Sequence, residues 1–209
     1  NGGIEVTGTN TGNGGFTVNT GGALVIGSST ALGTGTLTIN GGVIGARNGT
    51  TITVSTVTPQ VWNADFRIHG TGNFNLGAFG SDSTGSGNGT LNMGVGPITL
   101  NGPAGARTVT IDSNPGTGID NPVTFGGVIQ NGTASGLTLS GSWGFIILNG
   151  NNTYTNTTTV SMNSGVLRAS DGTGLPTNSL LTITAGVLET GTNLVRIGGS
   201  AAGNMQITG

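Results

Sequence analysis

One histidine, seven carboxylates and five arginines are the side chains of this 209-residue chain that could carry acid–base chemistry; lysine and cysteine are absent. General acid–base catalysis by His69 needs an activated partner within hydrogen-bond reach, and Asp65 is the nearest acid in sequence. A lone histidine without cysteine offers no zinc site. The acids are Glu5, Asp65, Asp82, Asp112, Asp120, Asp171 and Glu189, no two closer than eight positions. Glycoside hydrolysis needs two carboxylates across a cleft, so stacking would have to bring distant acids together. Asp65 with Arg67 is the best candidate pair, but strand alternation sets both on one face, the placement of a solvated ion pair. Segment 112–120 offers oxygen ligands of the kind Ca²⁺ takes, but at lower acidic density than an EF-hand loop, and a plain Asx-Pro turn is the favoured reading. Trp62, Trp143 and Tyr154 either form a sugar-stacking platform or plug the corners and core of the fold. No catalytic, cofactor-binding or metal-binding residue is assigned, and a polysaccharide-active enzyme is the last of three functional readings.

Groups this sparse must be held by the elements around them, and those elements read as strands. Short apolar–polar alternations recur between Gly, Asn and Ser clusters: Leu24/Ile26, Leu37/Ile39, Ile52/Val54, Phe66/Ile68, Leu91/Met93 and Val109/Ile111. The series continues with Val123/Phe125, Leu137/Leu139, Phe145/Ile147, Val195/Ile197 and Met205/Ile207. Period-2 runs of three to five residues mark strands with one buried face. Thr38, Thr53, Thr110 and Thr138 fill outward positions, which suit a β-branched polar residue. No apolar run follows a 3.6 period, which predicts essentially no helix. Gly and Asn supply the positive-φ corners, as in Asn48-Gly49, Asn88-Gly89, Asn101-Gly102, Asn131-Gly132 and Asn149-Gly150. Stacked Asn side chains are expected to form ladders.

Composition narrows the functional classes. Of the residues, 44 are Gly, only 6% are charged, 33% are hydrophobic and the net charge is −2. Disorder is driven by high charge with few β-branched residues, the reverse of this pattern. The five arginines (47, 67, 107, 168 and 196) are spread along the chain, so no basic face for nucleic acid is visible. No segment approaches the roughly 18 apolar residues of a membrane-spanning helix, and no basic and apolar leader opens the chain. A cysteine-free chain is compatible with an extracellular setting.

Residues 1–44 and 146–188 are two imperfect copies of one pattern, about 143 positions apart. Gly8-Thr9-Asn10-Thr11, Thr17-Val18, Gly22-Ala23-Leu24 and Leu37-Thr38-Ile39 recur as Gly150-Asn151-Asn152-Thr153, Thr159-Val160, Gly165-Val166-Leu167 and Leu181-Thr182-Ile183. Repetition of this kind points to a quasi-one-dimensional stack in which each unit packs on its neighbours.

The second copy carries Leu148, Gly150, Asn152, Thr153, Tyr154, Thr158 and Val160, followed by Gly165 and Leu167. That spacing, L-x-G-x-N-T-Y-x-x-x-T-x-V and then G-x-L, closely resembles the autotransporter-associated β-strand repeat. Ala31-Leu32-Gly33-Thr34-Gly35, Trp62-Asn63-Ala64-Asp65-Phe66 and Gly136-Leu137-Thr138-Leu139 also look like the large bacterial surface proteins that carry such repeats. The first copy is degenerate, with Gly12 in place of the Tyr and Phe16 in place of a Thr. The resemblance implies a right-handed parallel β-helix in a secreted or surface-displayed bacterial protein, with the motif residues as scaffold.

The expectation is therefore an all-β, right-handed parallel β-helix (β-solenoid) of about nine coils, residues 1–209 forming one segment of a longer array. Its expected work is structural, as an extracellular or cell-surface rod. The partners expected are copies of itself end to end or neighbouring repeats of the same long chain, with glycans as a further class and neither nucleic acid nor membrane insertion. Both ends look uncapped, so Ile4, Val6, Met205 and Ile207 are expected to meet the next unit. The rival reading is an adhesin-type passenger presenting loops 77–90 and 112–122 to a host surface or glycan.

Overall fold

The computed structural model describes residues 2–47, 49–69, 90–112, 122–196, 198, 201 and 203–208. Short alternating segments bounded by Gly and Asn leave the backbone one economical way to satisfy its polar groups, which is pairing with a similar segment further along the chain. Among the described residues eighteen strands result and no helix occurs.

Three series of strands stack in parallel. Series one begins with β1 (Gly2–Val6), β3 (Gly22–Ile26), β5 (Val43–Ala46), β8 (Phe66–His69), β11 (Ala106–Asp112) and β14 (Gly136–Ser142). It continues through the first half of β16 (Thr158–Ala169) and of β17 (Leu181–Glu189) to β18 (Met205–Ile207), nine strands in a row. Series two runs β6 (Thr51–Thr53), β9 (Thr90–Asn92), β12 (Val123–Phe125) and β15 (Phe145–Leu148), then the second halves of β16 and β17. Series three is a separate sheet of β2 (Phe16–Asn19), β4 (Leu37–Asn40), β7 (Gln60–Trp62), β10 (Ile98–Leu100) and β13 (Ile129–Asn131). Every pairing is parallel. Paired residues lie 20 positions apart at Gly2↔Gly22 and 43 apart at Phe66↔Val109. Where strands succeed one another, the chain visits series three, then one, then two, as in β4, β5 and β6.

Series one and two join through β16. Its first half pairs with β14 and its second with β15, and between them Ser164 takes a φ of 56°. The three series enclose one core. Trp62 of series three meets Phe66 of series one edge-on at 4.9 Å and Phe125 of series two at 5.2 Å. Leu37, Ile39, Ile98, Leu100, Ile111, Leu139, Ile146, Leu148 and Leu167 are buried in the same cluster. Burying each such side chain is worth about 1.5–3 kcal/mol, repeated level after level. Asn40 donates to Asn19 Oδ1 at 3.0 Å and Asn63 donates to Asn40 Oδ1 at 2.9 Å, an amide ladder of the expected kind.

Several expectations are corrected. In β15 the inward residues are Ile146 and Leu148, while Phe145 and Ile147 are half-buried. Four consecutive apolar residues carry no alternation to fix the face, and a one-residue slip exchanges the two faces. Val195 lies outside any strand and is 82% exposed, and its expected companion Ile197 lies outside the described residues. The alternation series misses β7, where a core position holds Gln60, and β13, where Ile129 is the one apolar residue; it also omits β10, although Ile98 and Leu100 alternate there. Gly49 and Gly102 do turn with positive φ, but Gly132 and Gly150 do not. A Cβ on Gly150 would lie 2.0 Å from the Gly127 carbonyl oxygen, so glycine is needed there for close approach of two backbones. Asn48 and the Asn88-Gly89 pair lie outside the described residues.

The two sequence copies occupy different series. Thr17-Val18 lies in series three and its counterpart Thr159-Val160 in series one. Leu24 lies in series one and Leu167 in series two, while Leu37–Ile39 lies in series three and Leu181–Ile183 in series one. Each matched segment advances by one series.

Candidate functional site

The densest buried polar arrangement among the described residues is built by the repeat motif and the two loops stacked on it. Leu148, Val160 and Leu167 are core residues. Gly165 passes close under Gly144, whose carbonyl oxygen would lie 2.8 Å from an added Cβ. Asn152 is 5% exposed, and its amide joins three levels of the stack. Its Oδ1 accepts from the Ile129 N–H at 2.8 Å and its Nδ2 donates to the Gly174 carbonyl at 2.9 Å. The Thr153 N–H donates to the Ile129 carbonyl at 2.9 Å. The motif's Asn and Thr thus pair with backbone groups one level away.

Tyr154 is fully buried, and its hydroxyl lies 2.7 Å from Thr158 Oγ1. Thr158 Oγ1 lies 3.0 Å from Ser179 Oγ, which donates to the Asn156 carbonyl. Each hydroxyl has one proton, so the last donation fixes the rest: Thr158 donates to Ser179, and Tyr154 donates to Thr158. Burial pushes the Tyr154 phenol up from 10.0 to about 12, while the hydrogen bond with Thr158 and the charge of Arg196 pull the other way. A phenol held neutral in this way is a structural donor, the opposite of an activated nucleophile.

Arg196 closes the arrangement. Its side chain is 1% exposed and meets Asp171, 5% exposed, at 2.7 Å. The guanidinium also donates to the carbonyls of Pro176 at 2.7 Å and of Ser179. Asp171 Oδ2 accepts from the Val195 N–H at 3.1 Å. One ion pair therefore ties residues 195–196 to the loop one level below.

The remaining charges are used in the same way. Glu5 pairs with Arg47 at 3.1 Å and Glu189 with Arg168 at 2.9 Å. Asp65 accepts from the Thr108 N–H at 2.9 Å and meets Arg107 at 3.5 Å. These two partners of Asp65 lie more than forty residues on, beyond what strand alternation around Asp65 and Arg67 can reveal. The carboxylates of Glu5, Asp65, Asp171 and Glu189 each sit against an arginine on a neighbouring part of the stack, an arrangement that holds levels together. His69 is half-buried in β8, in register with Gly45 and Asp112. No group of three metal-ligating side chains occurs among the described residues. Asp82, Asp120 and nearly all of the loops 77–90 and 112–122 lie outside them.

Of the two readings of the aromatics, the structure shows plugs of core and corner. Trp62 and Tyr154 are fully buried, and Trp143, 38% exposed with a φ of 59°, stands at a corner without them. Sparse aromatics are drawn into a narrow core because each covers more apolar surface than any aliphatic residue. The end residues Ile4 and Ile207 are 55% and 70% exposed, and Val6 and Met205 are half-buried against the core.

No family model matches the chain, and no curated protein or solved structure does.

Proposed function

We propose that this chain is a structural segment of an extracellular or surface-displayed bacterial rod, built as a right-handed parallel β-helix of about nine coils and stacking end to end. The nine consecutive strands of series one support the coil number, and the strong right-handed preference of parallel crossovers supports the hand. The resemblance to the autotransporter-associated repeat supports the setting. The observation that carries the function is where the polar chemistry goes. Asn152, the Tyr154–Thr158–Ser179 hydroxyls and the four arginine–carboxylate pairs all bind one part of the stack to another. Such a column resists extension through hydrogen-bonded ladders and excludes water along its whole core.

Negative-stain microscopy and fibre diffraction of the purified chain test this reading. Thin unbranched rods with an axial reflection near ~4.8 Å are expected. Discrete monomers at all concentrations, with saturable binding to a glycan array, would replace the rod by an adhesin module.

A further inference from the structure

The corner that joins series one to series two is turned at three successive levels by residues of positive φ: Trp143 at 59°, Ser164 at 56° and Gly186 at 101°. Trp143 and Ser164 are equivalent, because Ser142 pairs with Asn163 before them and Phe145 with Val166 after them. The Trp143 N–H donates to the Asn163 carbonyl at 3.0 Å, so a backbone bond to the next level fixes this turn. Glycine adopts such a conformation freely, whereas a bulky residue adopts it only at a cost. The turn therefore favours a small residue, and Ser and Gly stand there at the two levels that follow. At Trp143 it carries an indole instead. The ring closes the corner alone, and the residue stays 38% exposed. This level lies within the stack, with β11 on one side of β14 and β16 on the other. The exposure is lateral and owes nothing to either end of the chain.

The side chains around the indole are polar, uncharged and uncommitted. Ser142, Asn163 and Ser164 are exposed, and among the described residues their side chains make no hydrogen bond. Elsewhere the stack uses its amides internally: Asn40, Asn63, Asn131 and Asn152 each bond to a neighbouring level. Sugar rings present a C–H face that packs on an aromatic surface, and hydroxyls at the rim that both donate and accept. An open indole supplies the first contact, and an amide with two hydroxyls supplies the second. A rim without charge suits a neutral sugar. A pyranose with equatorial hydroxyls offers the flattest C–H face to a single ring.

We propose that Trp143, with Ser142, Asn163 and Ser164, forms a lateral binding site for a neutral β-linked pyranose chain of glucose configuration. The indole stacks on one sugar ring, and the amide and hydroxyls orient it. The site is independent of end-to-end stacking, since a rod and a single segment both carry it.

Trp62 is fully buried, so acrylamide quenching of the native chain reads Trp143. Cellohexaose and chitohexaose are the probes, and at least one is expected to shield Trp143 saturably. Titration calorimetry then compares variants. Trp143→Gly is expected to abolish binding while keeping or raising the thermal midpoint, because glycine suits the positive φ. Asn163→Ala should weaken binding about three- to tenfold, the loss of one hydrogen bond. No saturable shielding by either probe, or undiminished binding to Trp143→Gly, would overturn the site. A Trp143→Gly variant with a much lower midpoint would show that the corner itself requires the indole, and would overturn it as well.

Discussion

Arg196 and Asp171 form an ion pair of 2.7 Å with side chains 1% and 5% exposed, and through it the 195–196 segment is bound to the level beneath. Breaking such a pair on one side leaves a buried charge unmatched, which costs about 3–5 kcal/mol. Asp171→Ala is therefore expected to lower the urea midpoint strongly. The Asp171→Leu/Arg196→Met variant should recover a large part of the loss, because it removes both charges at once. Equilibrium unfolding monitored by circular dichroism decides this. An Asp171→Ala variant as stable as the parent would show that the pair contributes nothing.

Tyr154 gives the fold an alkaline limit. Its phenol titrates near 12 in the fold and near 10 when unfolded, so the fold prefers the neutral form. The resulting stability, about 2–3 kcal/mol for two pKa units, is fully present below pH 10 and is lost as pH climbs towards 12. Tyr154 is the one tyrosine, and the chain has neither cysteine nor lysine, so no other side chain of the sequence releases a proton in that window. Tyrosinate absorbance should rise near pH 12 in the native protein and near 10 in denaturant. Tyr154→Phe should abolish the stability loss between those values, at a cost of about 1 kcal/mol near neutral pH. A native midpoint near 10 would contradict the buried geometry.

Gly127 belongs to a column of close backbone approaches. A Cβ on Gly96 would meet the Thr58 carbonyl oxygen at 1.9 Å, one on Gly127 the Gly96 oxygen at 1.8 Å, and one on Gly150 the Gly127 oxygen at 2.0 Å. The neighbouring atoms are backbone in the connections between series two and series three rather than flexible side-chain ends, so they cannot yield cheaply. Gly127→Ala is expected to destabilise by more than about 3 kcal/mol, beyond the usual range for single substitutions. Gly8→Ala, where nothing lies within 4 Å, serves as the control and should be neutral. Thermal unfolding of the two variants side by side is the measurement, and equal midpoints would refute the close approach.

Much of the strand content was legible because alternation is local. Leu37/Ile39, Phe66/Ile68, Val109/Ile111 and Leu137/Leu139 each announce one buried face within five residues. The polar arrangement around Tyr154 was legible only as a motif. Asn152, Tyr154 and Thr158 stood out by resemblance, whereas Ser179, Asp171 and Arg196 carried no signal of their own. Their partners lie 17 to 25 residues away, across loops whose lengths vary.

The sequence by itself determined that this chain is made of short strands with one buried face and small residues at the corners. Period-2 burial and the backbone freedom of glycine are properties of a few neighbouring residues. Which strand lies on which, and hence which carboxylate meets which arginine, was decided by the tertiary structure. Parallel partners lie 20 to 43 positions apart in sequence, and each intervening loop shifts the register that brings them together. The advance of the second repeat copy by one series shows the division plainly. The same local pattern forms strands in both copies, and the position it takes in the stack depends on every loop that comes before it.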